Sequence, residues 1–355
     1  MPPLTDRALV DRFGRNAAVE QTLNPGLVRW RRDRALVAYA EARRAPWGGA
    51  ARVVTGEPVC PPSEVSAVAA AFEADAAAGG AAVCWVGVDD AFQAVLDGVG
   101  PHGRLVIGAQ PVWDPASWDA IYGSTSSVRA QVNRARNKGV EVREWTGDVA
   151  PLRRVLDEWL GRRGLPALRF MTDPFVLDAL GARHVLAAVR GGEVVGYLVL
   201  APVPARDGRF VEWVIGGDRA PNGTGSLLLD RAFRLAAAEG AAFVTLGLVP
   251  LSTFAPPSTP APPPLIRAGL AWMRAHARRF YNVEGLERFK AKFRPDAWEP
   301  LHLVTTEPRV TPGTLYAVAD AFAGDRSPVG LVGRALAGAV ADEARTLAGW
   351  LRAGR

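Results

Sequence analysis

The sequence predicts an α/β protein with mixed sheets, arranged as two tandem units of one kind followed by a helical C-terminal tail. Three observations carry this reading. Short β-prone runs and amphipathic stretches alternate through the first 145 residues, and the alternation starts afresh after Pro151. The 355 residues give room for two ordinary domain cores. Hydrophobic residues make up 49% and charged residues 22%, a globular balance. The units are expected at 1–147 and 148–310, with the tail at 311–355.

In the first unit, residues 51–55 form a short strand and 63–78 an Ala-rich helix with Ser63 placed to cap it. A buried strand at 81–86, a helix at 89–96 and a strand at 104–108 follow. Residues 126–138 make a strongly basic helix that stops at Gly139, and 140–145 a strand. The second unit opens with a helix at 152–160. Three successive strands come next, at 184–190, 193–201 and 209–215, and Gly191-Gly192 makes the first connection a hairpin. A turn at 218–222 leads into a helix at 223–239 and a strand at 243–248. The Pro-dense segment TFAPPSTPAPPP (253–264) is an extended loop, either a linker or a lid. Two helices are expected beyond Pro312. In the second, Val332, Leu336, Val340, Ala344, Leu347 and Leu351 recur at helical spacing. Such a stripe docks on its own protein or lies in a membrane interface, with Arg334, Arg345 and Arg352 near headgroups.

No window reaches the roughly 18–20 uninterrupted apolar residues that span a bilayer. The N-terminus mixes acids with bases and lacks an apolar core, so no signal peptide is read and a cytoplasmic location is expected. Cys60 and Cys84 are too few for a disulfide framework and lack metal-ligand spacing. A net charge of +6 favours an anionic partner, and nucleic acid, anionic lipid and the phosphates of CoA all fit. Of 42 basic residues only Lys138, Lys290 and Lys292 are lysine. Lysines kept in so Arg-rich a chain suggest a need for a compact ammonium.

Three segments carry the chemistry. Arg219-Ala-Pro-Asn222-Gly223-Thr-Gly225 stands between a strand and a helix, where glycines let backbone N–H groups approach an anion. This turn resembles the Q/R-x-x-G-x-G/A turn with which GNAT acetyltransferases cradle the CoA pyrophosphate, although Ala220 departs from it. An ordinary tight turn with Asn222 as cap is the alternative. The segment YNVEGLERFKAKFRPDAWEP, from Tyr281 to Pro300, reads as a short helix over 284–292. Its i, i+4, i+8 spacing puts Glu284, Arg288 and Lys292 on one face, with Leu286, Phe289 and Phe293 on the apolar side and Lys290 elsewhere. In the basic helix, Arg129, Asn133 and Arg136 share a stripe suited to phosphates, with Lys138 at its end. The four histidines have no catalytic setting, and no metal is called for.

Five segments in this order resemble the C-terminal catalytic domain of phosphatidylglycerol lysyltransferases, the DUF2156 family: SSVRAQVNRARNKG, EVVGYLVL, RAPNGTGSLLLD, FVTLGLVPLS and FYNVEGLERFKAKFRPDAWEPLHLV. Together they cover roughly residues 20–305. The resemblance implies two fused GNAT-like domains, as in the FemABX transferases. It also implies transfer of an aminoacyl group from aminoacyl-tRNA to a lipid hydroxyl at the inner face of the cell membrane, with no cofactor. The best-known synthases carry an N-terminal multispanning flippase that is not in this sequence, and the acidic residue often found four positions after the Asn of the turn is here Ser226. Carried over, Lys290 and Lys292 hold phosphate and developing charge, Arg288 assists, Glu284 orients a cation, and Glu212 or Glu284 relays the hydroxyl proton. Asn222, Gly223, Gly225, Ser252, Tyr281, Arg294, Arg129, Asn133, Arg136 and Lys138 contact substrate. A CoA-dependent acyltransferase using acetyl-CoA, and a non-catalytic binder of anionic lipid or RNA, are the rival readings.

Overall fold

The computed structural model describes residues 4–45, 48–162, 167–276, 283–324, 326–328 and 330. The chain runs through α1 (Asp6–Phe13), β1 (Val28–Arg32), β2 (Ala35–Arg43) and β3 (Ala50–Thr55) into α2 (Val65–Ala78), β4 (Ala81–Val88), α3 (Asp90–Asp97) and β5 (Gly103–Trp113). A helical passage, α4 (Trp118–Ser124) and α5 (Ser126–Asn137), leads to β6 (Val140–Glu144) and α6 (Ala150–Gly161). Then come β7 (His184–Arg190), β8 (Glu193–Val203), β9 (Gly208–Gly216), α7 (Thr224–Ala238), β10 (Phe243–Thr245) and β11 (Val249–Pro250). The last elements are α8 (Pro264–His276), α9 (Val283–Ala291), β12 (Ala297–Thr305) and α10 (Pro312–Ala323). Tyr281 and the apolar stripe from Val332 to Leu351 lie outside the described residues.

Among the described residues twelve strands join in one mixed sheet, ordered β1-β2-β3-β4-β12-β5-β10-β9-β8-β7-β6, with β11 also on β5. The two halves repeat one pattern, that of a GNAT-like α/β fold. In each, antiparallel neighbours (β1-β2-β3, then β7-β8-β9) lead into a parallel strand–helix–strand crossover, β3-α2-β4 and β9-α7-β10. A parallel pair needs such a crossover, and an alanine-rich or amphipathic helix supplies it. Two placements tie the halves together. β12, from the far end of the chain, lies antiparallel between β4 and β5. Residue 147, where the sequence divides the chain, falls between β6 and α6; β6 pairs with β7, and α6 packs on β8 and β9.

Each half has its own core. Phe72 and Trp85, with Trp30, Tyr39 and Phe92 around them, fill the space beneath α2 and α3. In the second half Trp118 stacks on Phe233 with ring centroids 4.2 Å apart, and Trp113 and Phe293 close the same cluster against α5 and α7. Such pairs add about 0.5–1.5 kcal/mol each beyond their area. Cys60 and Cys84 are free and buried. Among the described residues no helix is long and apolar enough to cross a membrane.

Candidate active site between two parting strands

The sheet opens beside β9. β10 pairs with it only at Phe243, Val244 and Thr245, opposite Gly208, Arg209 and Phe210. The chain then follows β5, with Val249 opposite Ala109, while β9 runs on to Gly216. From Val211 onward the edge of β9 facing β10 has no strand partner among the described residues, and a wedge forms. The turn at Leu246–Leu248 makes the parting possible. Gly247 sits there at φ +70°, and a Cβ on it would lie 2.7 Å from the Phe210 ring. Thr245 pins the turn: its hydroxyl donates to the Pro111 carbonyl (2.8 Å) and accepts from the Gly247 N–H (3.0 Å). The sequence-predicted strand at 243–248 is therefore cut to three residues.

α9 is amphipathic in an unusual sense, because Val283, Glu287 and Lys290 form its buried face. The Lys290 ammonium donates to three consecutive carbonyls of the turn, Leu246 (2.6 Å), Gly247 (2.8 Å) and Leu248 (3.3 Å). Burial, with no carboxylate partner among the described residues, pushes its pKa down to about 7. The role of phosphate holder is corrected here: all three donors of Lys290 are spent on the backbone, so it fastens α9 to the turn. Glu287 accepts from the Thr253 N–H (2.7 Å) and hydroxyl (2.8 Å). Burial raises that carboxyl, but hydrogen bonds from Ser252 and Thr253 outweigh it and hold the pKa below its ordinary value.

Lys292 reaches the other side of the wedge. Its Nζ donates to Ser226 Oγ at 3.3 Å and lies 4.8 and 5.1 Å from the ring centres of Phe293 and Phe289. Desolvation lowers its pKa. Ser226 is buried in the first turn of α7. One turn on, the buried Asp230 carboxylate accepts from Trp118 Nε1, Arg136 and Arg234, each at 3.0 Å. Arg136 is thus held by Asp230 instead of lying free for phosphate. Arg129 is likewise committed, donating to the carbonyls of Tyr122 (3.0 Å) and Gly123 at the end of α4. Asn133 and Lys138 are exposed on α5.

The glycine turn is also built differently from the expectation. Gly223, at φ +102°, is the N-cap of α7, and Asn222 is exposed beside it. A Cβ on Gly223 would meet the Gln131 carbonyl at 2.1 Å, whereas one on Gly225 would touch only Val214, at 3.5 Å. Gly223 is therefore required by the approach of α5.

Glu212 occupies the bulge in β9, where Val199 and Leu200 pair with Trp213 and Val211 and skip it. Its fully buried carboxylate is paired with Arg183 (2.5 and 3.1 Å) and accepts from Gln21 (3.0 Å). Both oxygens of Glu212 are thus taken up by Arg183 and Gln21, which leaves the proton-relay role without support here. Arg288 is exposed, its Nε donating to the Glu284 carbonyl at 3.3 Å; Glu284 is half-buried. Arg294 is exposed, at φ +51°, just past α9. Ser252 is buried at a cleft of about 340 Å³ between the Pro-rich loop, β5 and α8, lined by Leu105, Leu251, Leu270, Arg267 and Arg274. The loop lies back on the sheet: Ser258 Oγ accepts from the Val106 N–H (2.8 Å), and Phe254 stacks on Trp298 at 4.4 Å. Glu287, which reaches Ser252, lay inside the lysine-bearing segment without being singled out.

With this geometry in view, the match to known proteins is informative. Residues 22–305 match the family described as phosphatidylglycerol lysyltransferase, C-terminal. The chain belongs to this family. Its matched region takes in every strand from β1 to the end of β12. The structure is similar to that of L-PGS from Bacillus licheniformis, with TM-score 0.76, 21% identity, and 91% and 98% of the two chains covered. It is also similar to a C-terminal domain (DUF2156) assigned to a lysylphosphatidylglycerol synthetase from Agrobacterium fabrum, with TM-score 0.74, 20% identity, and 89% and 94% covered. FemX shares the fold more distantly, with TM-score 0.55, 12% identity, and 89% and 98% covered. Among curated proteins no sequence matches. The phosphatidylglycerol lysyltransferase C-terminal family is one of transferases with a GNAT-like fold, and in this member Lys290 of α9 and Lys292 just past it reach the turn after β10 and the first turn of α7.

Proposed function

We propose that the protein moves an aminoacyl group from aminoacyl-tRNA to a hydroxyl of an anionic lipid such as phosphatidylglycerol, working at the inner face of the cell membrane. The observation that carries this reading is the wedge between β9 and β10, bridged by α9. There Lys292 offers a half-buried cation without a carboxylate partner among the described residues. Arg288 and Arg294 lie exposed along the same short helix and its end. Donor and acceptor are both anionic, and the net charge of +6 attracts both. An aminoacyl ester is already activated, so positioning and stabilisation of the oxyanion supply much of the rate. Ester and hydroxyl exchange without redox change, so the reading calls for no redox cofactor. A CoA-dependent reaction has less support: Gln131 fills the space beside Gly223 where its pyrophosphate would need close backbone approach.

The test uses purified protein with anionic vesicles and either charged tRNA or acetyl-CoA, labelled in the acyl group. Label is expected in the lipid phase from charged tRNA alone. Label arriving only from acetyl-CoA overturns the donor, and label from neither leaves a binding protein.

A further inference from the structure

We propose that Lys292, acting through Ser226, takes the proton from the acceptor hydroxyl and returns it to the departing oxygen of the donor. This rests on the aminoacyl-transfer reading above and adds to it the group that moves the proton.

Elimination makes the first part of the case. Attack of a hydroxyl on an ester needs a base that can give its proton back. Three carboxylates around the wedge are committed elsewhere: Glu212 to Arg183 and Gln21, Asp230 to Trp118, Arg136 and Arg234, and Glu287 to Thr253. Lys290 has spent its donors on three carbonyls. Lys292 differs: among the described residues its polar partner is the Ser226 hydroxyl.

Geometry makes the second. An amine hydrogen-bonded to a serine hydroxyl is a two-step proton path, since a hydroxyl accepts on one side while donating on the other. Ser226 is only 4% exposed, so the path is shielded from bulk water. The two aromatic rings lie within cation–π reach of the ammonium, and its removal from water lowers the pKa. A lysine so placed has a usable neutral fraction nearer neutral pH than an exposed one.

The step balances. The neutral amine receives the Ser226 proton while Ser226 Oγ receives that of the acceptor hydroxyl. The acceptor oxygen bonds to the ester carbonyl carbon. When the intermediate collapses, the carbon–oxygen bond to the tRNA 3′ oxygen breaks, and the ammonium returns the proton to that oxygen through Ser226. One ester and one hydroxyl are consumed, and one of each is formed.

The chain's lysine count gives a direct test. With only Lys138, Lys290 and Lys292 present, protein labelled with 13C at lysine Cε has three signals, assigned by single substitution. Lys292 is expected to titrate below the ordinary lysine range, and Ser226→Ala to move its midpoint. In transfer assays with charged tRNA and anionic vesicles, the acid limb of kcat should share that midpoint. Ser226→Ala and Lys292→Arg should each lower kcat by about 10²–10³-fold with little change in KM, since general acid–base groups act on the chemical step. Lys292 titrating in the ordinary lysine range overturns the proposal. So does near wild-type kcat in either variant, because Arg keeps the charge and cannot give up a proton. Should the wild type fail with charged tRNA, an aryl ester of an amino acid replaces it. Release of the phenol that depends on both residues keeps the dyad and discards the tRNA donor; release that ignores both discards the dyad.

Discussion

Lys290 shows how one side chain holds a site together. A buried ammonium without a counter-ion is costly, and here three carbonyls of one turn offset the loss of water. A neutral amine has two N–H groups, so deprotonation would leave one of the three carbonyls without its donor. The folded-state pKa is pushed to about 7, below the ordinary lysine value kept by the unfolded chain. Above pH 7 the unfolded chain therefore holds a proton that the folded protein has released, and stability must rise with pH across that window. Against Lys290→Met, which cannot titrate, the wild type should gain up to about 1.4 kcal/mol per pH unit between pH 7 and 10. Urea denaturation at several pH values measures this. A constant difference between the two proteins would show that the ammonium is not depressed in the folded state.

At the level of elements, the meeting of α5 and α7 decides the shape of the glycine turn. Gly223 carries a positive φ and faces the Gln131 carbonyl at a distance no Cβ could share. Gly223→Ala should cost about 2–4 kcal/mol, through backbone strain and displacement of α5. Gly225→Ala is the matched control: its Cβ would meet only a methyl at ordinary contact distance. It should change stability by less than about 0.5 kcal/mol, since alanine suits a first helical turn. Chemical denaturation of both variants checks the pair, and equal costs would mean that α5 does not press on Gly223. The two N-terminal glycines of one turn thus have different causes, which the spacing G-x-G cannot distinguish.

For the whole molecule, the governing fact is that β12 stands in the middle of the sheet. It pairs with β5 from Ala297 to Thr305 and with β4 from His302 to Thr305, so the first half of the sheet needs residues from the end of the second. A chain ending at residue 147 would present β4 and β5 with facing edges unpaired, and would strand β6 and α5 without β7 and α7. Expressed alone, residues 1–147 should fail to fold, giving collapsed NMR dispersion or insoluble protein. A well-dispersed spectrum from that fragment would show that the first core closes without β12.

Sequence alone determined the α/β class, the restart that marks a second strand–helix–strand unit, and the short helix bearing two of the three lysines. These follow from local periodicity and turn chemistry, which each segment carries in itself. The region from Asp6 to Arg43 stayed unread: α1 is short, and the burial of β2 does not alternate cleanly, so neither leaves a strong period. Placement of β12, the parting of β9 and β10, and the partners of the charged residues came only with tertiary structure. Lys290 was legible as a lysine worth keeping, yet its three partners are backbone carbonyls more than 40 residues away, and no side-chain pattern announces a carbonyl. Glu212, Arg129 and Arg136 looked available because sequence shows a charge and not its counter-charge. Long-range pairing, which depends on how the sheet closes, decided which of these groups remain free to act.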